Sequence, residues 1–254
     1  MTGIVLPTHV LLGAGSAVAV AYARKICEAG PARFVLVVRD EARTSEILAD
    51  LRARGADAES FVLAGNLGDP DAVPTMAAEL FRRAGQVETV LLAYGVLGSQ
   101  AEQASNPARL RELLDVNFVS AALWCEAVAA QLEAQGHGRL GILGSVAGDR
   151  GRQSNYLYGA TKGALERIAE GMAHRFARAP KISVTLIKPG FIDTPMTAHL
   201  PKSGPLWASP EKVADITWRA MQARRVRVYA PWFWRYILLI VRALPVPVMH
   251  RTKM

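Results

Sequence analysis

Apolar residues along this chain collect into short unbroken runs, separated by longer stretches with helical spacing. The runs are Val10–Leu12, Arg33–Val38, Ala58–Leu63, Val87–Ala93, Leu140–Leu143, Lys181–Ile187 and Val226–Tyr229. They are apolar nearly throughout and do not alternate, as parallel strands buried on both faces do. Helical patterns run to about Ala29, from Pro107 to Gln135, through Tyr158 and Lys162 to about Arg178, and onward from Pro210. Asp69 and Ser209 read as N-caps, with Pro70 and Pro210 as first helical residues. Strand–helix alternation predicts an α/β fold: a doubly wound, mostly parallel seven-stranded sheet with helices on both faces. Residues 1–230 read as one domain, with a Pro- and Gly-bearing lid at about 195–208 and a hydrophobic, basic tail at 231–254.

In such a sheet ligands bind outside the carboxyl ends of the strands. The first run leads into Gly13-Ala14-Gly15-Ser16-Ala17-Val18-Ala19. This strand–glycine turn–helix unit brings backbone amides and a helix N-terminus to a phosphate. The second run ends at Arg39-Asp40, where a dinucleotide fold places the ribose 2′ position. Arg39 favours a 2′-phosphate and hence NADP(H), whereas an acidic residue there would suit NAD(H); Asp40 serves equally as a helix cap. Asn66-Leu67, Ala93-Tyr94-Gly95, Ser145 and the stretch Pro189-Gly190-Phe191-Ile192-Asp193-Thr194 also follow strand ends.

Tyr158 and Lys162 are spaced i, i+4 and so share one helix face. An ammonium beside a phenol favours the phenolate and lowers its pKa. With the hydroxyl of Ser145, the pair is suited to moving a proton on or off a carbonyl or alcohol oxygen. Asn117 lies in the middle of the long 107–135 pattern, where asparagine is unfavourable. It is either a satisfied core amide or a residue that distorts the helix for function.

Charge adds a constraint. The 254 residues carry a formal net charge of +8, which suits anionic partners such as a phosphorylated cofactor or an anionic membrane surface. The basic residues are spread along the chain, so no nucleic-acid partner is expected. Cys27 and Cys125 have no Cys/His neighbours and read as buried thiols of a reducing compartment. Histidines 9, 137, 174, 199 and 250 show no metal-ligand spacing, and no metal site is expected. The first residues lack a charged leader pattern, and no uninterrupted apolar run approaches ~20 residues. A cytoplasmic protein is expected.

The ordered set of glycine turn, Asn117, Ser145, Tyr158-x-x-x-Lys162 and Pro189-Gly190-x-x-x-Thr194 resembles the short-chain dehydrogenase/reductase family over essentially the whole chain. The resemblance implies a Rossmann-type fold and an NAD(P)-dependent enzyme. Tyr158 would be the acid/base, and Lys162 would lower its pKa and bind the nicotinamide ribose. Ser145 would polarise the substrate carbonyl, and Asn117 would support a water-mediated proton relay. The turn from Pro189 through Gly190 and Ile192 to Thr194 would hold the carboxamide. Three positions depart from the family pattern: Ala17 and Ala19 replace its later glycines, Asn66 replaces an aspartate, and Leu92-Ala93-Tyr94-Gly95 replaces its NNAG. They bear on cofactor affinity more than on the chemistry.

Within the family, LLAYGVLGSQ, SVAGDRGRQSNYLYGATKGAL, PMTAHL and the tail from Val228 are similar to the decaprenylphosphoryl-2-keto-ribose reductases. These form the reductive half of an epimerase whose partner, a flavin-dependent oxidase, makes the ketone. The implied substrate is a hydrophobic or lipid-linked ketone. In the tail, Trp232, Trp234 and Tyr236 precede Ile237–Val241, with Arg235 and Arg242 seven residues apart. That composition suits an interfacial helix on the cytoplasmic membrane face. Alternatively it packs on the sheet or between subunits of a homodimer or homotetramer. Two rivals remain: a reductase of 3-oxoacyl carrier-protein thioesters or other lipid ketones, and a non-catalytic nucleotide-sensing regulator. Regulators of that kind tend to lack the Tyr or Lys present here.

Overall fold

The computed structural model describes residues 6–198, 200–202 and 204–252, and for 41–43 the backbone alone; His199 lies outside the described residues. Seven strands form one sheet: β1 (Thr8–Leu12), β2 (Arg33–Val38), β3 (Phe61–Ala64), β4 (Thr89–Leu92), β5 (Gly138–Leu143), β6 (Ile182–Pro189) and β9 (Arg227–Ala230). Their order is β3-β2-β1-β4-β5-β6-β9, and every neighbouring pair is parallel. All five residues of β1 and all eight of β6 are buried, the polar Thr8, His9, Ser183, Thr185 and Lys188 included. The doubly wound expectation holds.

Helices α1 (Ala17–Ala29), α2 (Glu41–Ala53) and α8 (Pro210–Gln222) cover one face through a core that includes Tyr22, Ile26, Leu36 and Met221. Helices α3 (Val73–Ala84), α6 (Ser120–Gln135) and α7 (Tyr156–Arg175) cover the other, around Leu80, Trp124, Leu132 and Leu165. Strand order reverses between β1 and β4, so the loops after these two strands meet at the switch point. Their contact is tight. A Cβ on Gly13, whose φ is +91°, would sit 2.7 Å from Cβ of Tyr94.

The long pattern at 107–135 is one continuous rod in three parts: α5 (Pro107–Leu114), a π-helical turn (Asp115–Val119) and α6. Asparagine at 117 therefore marks a distortion, and it is also a buried, hydrogen-bonded core amide, so both expectations hold. By length and composition this rod could cross a membrane, but Trp124, Cys125, Val128 and Leu132 are fully buried in the core.

Some boundaries differ from the sequence reading. The third strand begins at Phe61, three residues late, because Asp57–Ser60 turns: Ser60 N–H donates to the Asp57 carbonyl at 3.0 Å. The next helix begins at Val73 rather than Pro70. Asp69 instead closes its own turn by accepting from Asp71 N–H at 3.0 Å. A short polar helix, α4 (Gln100–Ser105), was not expected; Ser99 caps it.

The 195–208 stretch is tethered by a two-stranded ladder of β7 (Phe191–Ile192) and β8 (Trp207–Ala208). The tail forms α9 (Trp234–Ala243) and α10 (Val246–Met249). One face of α9 buries Trp234 and Leu238 against Val146 and Tyr229. The other leaves Tyr236, Leu239 and Ile240 more than half exposed, as is Trp232 just before the helix. Packing on the body thus uses only one side of this helix.

Candidate active site

Ser145 opens the turn after β5, and Tyr158 and Lys162 lie on the first turns of α7. Three glycines make their meeting possible. A Cβ on Gly148 would stand 2.8 Å from the Gly163 nitrogen, and one on Gly159 2.8 Å from the Ala147 carbonyl. A Cβ on Gly163 would lie 3.2 Å from the Gly148 carbonyl. Turn 145–149 and helix α7 therefore touch backbone to backbone. The Ser145 hydroxyl accepts from Ala147 N–H at 3.1 Å and interacts with the Tyr158 phenol.

The π turn brings Asn117 in from the opposite side. Its amide is 1% exposed and makes a two-way bond with the backbone of Val96: Oδ1 accepts from the Val96 amide at 2.7 Å, and Nδ2 donates to its carbonyl at 2.7 Å. Nδ2 also reaches Thr161 Oγ1 at 3.4 Å. A Cβ on Gly95 would sit 3.0 Å from Asn117 Oδ1 and 3.5 Å from Lys162 Nζ. Five predicted residues, Gly95, Asn117, Ser145, Tyr158 and Lys162, thus converge.

Lys162 is buried. Its Nζ donates to the Leu143 carbonyl at 3.3 Å, and among the described residues it has no carboxylate partner. Burial pulls its pKa down to about 8. Burial also pushes Tyr158 up to about 12, with the Ser145 hydroxyl acting in the lowering direction. This corrects the sequence expectation. Lys162 Nζ lies 5.8 Å from the Tyr158 ring centre, and desolvation outweighs any help that the lysine gives the phenolate. At neutral pH the phenol keeps its proton and the ammonium remains largely charged, which suits a proton donor.

A second buried lysine stands just behind. Lys188, the residue before Pro189, is 1% exposed and bonds Asp149 Oδ1 at 2.8 Å and Glu166 Oε2 at 2.6 Å. Asp149 closes the turn that starts at Ser145, and Glu166 lies one helical turn beyond Lys162. The triad joins β6, the serine turn and α7. Sequence inspection missed it, because the partners lie 39 and 22 residues from the lysine.

The predicted dinucleotide face is laid out along the same edge. Gly15 is exposed, with open space where a Cβ would go. The Ser16 side chain caps none of the α1 amides, so the N–H groups of Ala17 and Val18 are left for a ligand. Ala17 is half-buried, and Ala19 is packed into the core with Leu36. The side chains of Val18 and Leu67 are buried, so only their backbones face the edge. The Ala93 amide is taken by the Leu12 carbonyl at 2.8 Å. Tyr94 flanks Gly13 and bonds Ser120 Oγ at 2.9 Å. Asn66 is exposed, with Oδ1 folded onto Gly68 N–H at 3.2 Å. Arg39 is exposed and, among the described residues, has no ion-pair partner. The set fits a dinucleotide: an open glycine turn, free helix amides and a free guanidinium at the ribose end.

At the other end, Thr194 and Thr197 form a reciprocal cap, and half-buried Ile192 pairs in the short ladder. Gly190 has a reason not visible in the sequence: a Cβ there would overlap the indole of Trp234 from the tail. The Trp234 N–H is sealed from solvent with no hydrogen-bond partner among the described residues. Trp234 meets Phe191 edge-on at 5.6 Å, and Phe191 stacks on Trp207 at 5.3 Å. This aromatic wall links lid and tail. Among the described residues no group of three or more His, Cys, Asp or Glu is placed to hold a metal ion.

Comparison with known proteins bears on the family and the fold. The family described as short chain dehydrogenase matches residues 8–204. An uncharacterized oxidoreductase of Mycobacterium tuberculosis is 31% identical over 236 residues, 93% of either chain. A protein of Streptomyces violaceoruber described as a ketoacyl reductase of the granaticin polyketide synthase is 28% identical over 196 residues, 76% of this chain and 71% of its own. Among solved structures, a gluconate 5-dehydrogenase from Burkholderia cenocepacia superposes with a TM-score of 0.77 at 20% identity, covering 91% of this chain and 95% of that one.

Proposed function

Because the chain belongs to the short-chain dehydrogenase/reductase family of NAD(P)-dependent oxidoreductases, we propose that it uses NADP(H) to reduce a ketone carried on a hydrophobic, phosphate-bearing lipid. A 2-keto-pentose on a polyprenyl phosphate is the substrate of choice. The observation that carries the chemistry is the buried Ser145–Tyr158–Lys162 set, in which Lys162 Nζ bonds the Leu143 carbonyl and, among the described residues, no carboxylate. The aromatic wall of Phe191, Trp207 and Trp234, continuous with the exposed apolar side of α9, supports the lipid part.

Each residue has a role in that reading. The bound nicotinamide supplies the hydride. Ser145 Oγ donates to the substrate carbonyl oxygen and orients it. Tyr158 gives its phenolic proton to that oxygen as negative charge develops. Lys162 holds positive charge beside the phenol and, with Asn117, links the proton path to solvent. Gly13, Gly15 and the α1 amides cradle the pyrophosphate, and Arg39 pairs with the 2′-phosphate. A flavin-dependent oxidase would supply the ketone. The exposed side of α9, flanked by Arg235 and Arg242, would touch an anionic cytoplasmic membrane face or a neighbouring subunit of a dimer or tetramer.

Tyr158→Phe is expected to lose nearly all turnover with its circular dichroism unchanged; retained turnover would overturn the mechanism. The substrate class is tested by comparing a polyprenyl-phosphate keto-pentose with acetoacetyl thioesters. A clear preference for the thioester would move the protein to acyl-carrier chemistry. In titrations, Arg39→Ala should weaken NADPH about tenfold or more and leave NADH unchanged. Equal loss for both cofactors would refute the 2′-phosphate role.

A further inference from the structure

Between the loop that follows the serine turn and the last helix lies an open cleft of ≈ 470 Å³. Arg150, Arg152 and Tyr156 form one wall; Val246, Met249 and His250 form the other. Among the described residues no acidic residue lines it, although the Asp149 carboxylate acts on the charge of Arg152. Arg150 is fixed in place: its Nη1 donates to the carbonyls of Val241, Arg242 and Leu244, gathering the exposed carbonyls at the end of α9. Arg152 differs. Its Nε–H is sealed from solvent and, among the described residues, donates to nothing. His250 also has no side-chain partner among the described residues.

Buried N–H groups are almost always satisfied, and a guanidinium is a planar donor with no acceptor capacity. The Asp149 Oδ2 and the Asn155 Oδ1 are likewise buried without a partner among the described residues, yet neither bonds the Arg152 guanidinium; the groups lining the cleft are two guanidiniums, an imidazole and a phenol. A tetrahedral anion with several oxygens satisfies donors arriving from different directions. Val246 and Met249 line the cleft, and the same two C-terminal helices also leave Val248, Leu239 and Ile240 exposed. A free inorganic anion makes no use of these apolar groups. The loop also runs straight into the catalytic helix, since Tyr156 is its first residue and Tyr158 lies two further on.

We propose that this cleft binds the phosphoryl group of a hydrocarbon phosphoester, with Arg152 as its main ligand and α9–α10 as the bed of the chain. This deepens the substrate reading above and rests on it where the ester is the carrier of the ketone. The same chemistry is offered by a substrate phosphate and by the headgroup of a bilayer lipid.

Binding to the full chain, followed by tryptophan fluorescence, tests the site and separates the sources. Submicellar farnesyl phosphate is expected to bind at least tenfold more tightly than farnesol or inorganic phosphate. Arg152→Gln should erase that difference with its melting temperature unchanged. His250→Gln, on the last turn and away from the core, should weaken farnesyl phosphate about threefold and serves if Arg152→Gln does not fold. Equal binding of farnesol and farnesyl phosphate overturns the proposal, as does inorganic phosphate binding as well as the ester. If phosphatidylglycerol vesicles lose binding in Arg152→Gln while farnesyl phosphate does not, the cleft reads membrane headgroups and the substrate assignment falls. Arg152-dependent binding of farnesyl phosphate without turnover of any lipid-phosphate ketone upholds the cleft and refutes the reaction. Turnover of such a ketone by Arg152→Gln with unchanged KM refutes the cleft and leaves the reaction standing.

Discussion

Lys162 and Lys188 are both buried at the same edge of the sheet, and the protein treats them in opposite ways. Lys188 is held between Asp149 and Glu166, its charge balanced on both sides. Among the described residues Lys162 has only the Leu143 carbonyl, and burial lowers its pKa to about 8. A paired buried lysine fastens elements together. An unpaired one is destabilised in its charged form and lets a neighbour's protonation change what that charge does. Glu166 makes the contrast sharper, because it is one turn from Lys162 yet bonds the other lysine. Carboxylates near the site are thus committed to the clamp and kept off the reacting face.

Three interventions break or sharpen this contrast. The largest effect is expected from Lys188→Met, which strands two buried carboxylates and should cost about 3–5 kcal/mol of stability in urea melts. A loss under about 1 kcal/mol would mean that the triad is not a clamp. Lys162→Met should do the reverse, lowering turnover about 100-fold or more while stability at pH 7 does not fall. The pH dependence has a definite sign. The folded pKa of Lys162 lies below its unfolded value, so between about pH 8 and 10.4 the unfolded chain holds the extra proton and stability rises with pH. The wild type should gain about 2 kcal/mol on Lys162→Met between pH 8.5 and 10, read from paired denaturation curves. A flat difference would show that Lys162 is solvated. The smallest effect on turnover is expected from Gly148→Ala, which pushes the serine turn away from α7, lowering kcat about tenfold and loosening Asp149 from the clamp. An unchanged kcat would mean that the turn position does not matter to Ser145.

The sequence made the strands easy to place, because a parallel strand buried on both faces has to be apolar along its length. It also pointed to Ser145, Tyr158 and Lys162 through strand-end and helix-face spacing, and to Asn117 as an unfavourable residue inside a helical pattern. Other features could not be read. Gln100–Ser105 is a helix of six mostly polar residues with no apolar period. The helix after Asn66 starts three residues late because Asp69 closes a turn of its own. The direction of the Tyr158 shift depends on burial, and no spacing rule reports burial. The roles of Lys188, Gly148, Gly159 and Trp234 depend on residues distant in the chain. For the glycines, the one available signal was their recurrence at 148, 159 and 163 around the catalytic helix.

The π turn at 115–119 has a consequence for how such a chain tolerates changes in length. One additional residue in a helix normally rotates everything beyond it by about 100° and would turn a core face toward solvent. Here the wide turn absorbs the extra residue locally. Leu113 before it and Trp124, Val128 and Leu132 after it all remain inside. The position of Asn117 against Val96 is therefore encoded by chain length as much as by side chain. A single deletion within 115–119 is a frame change for one amide, carried out with no substitution at all.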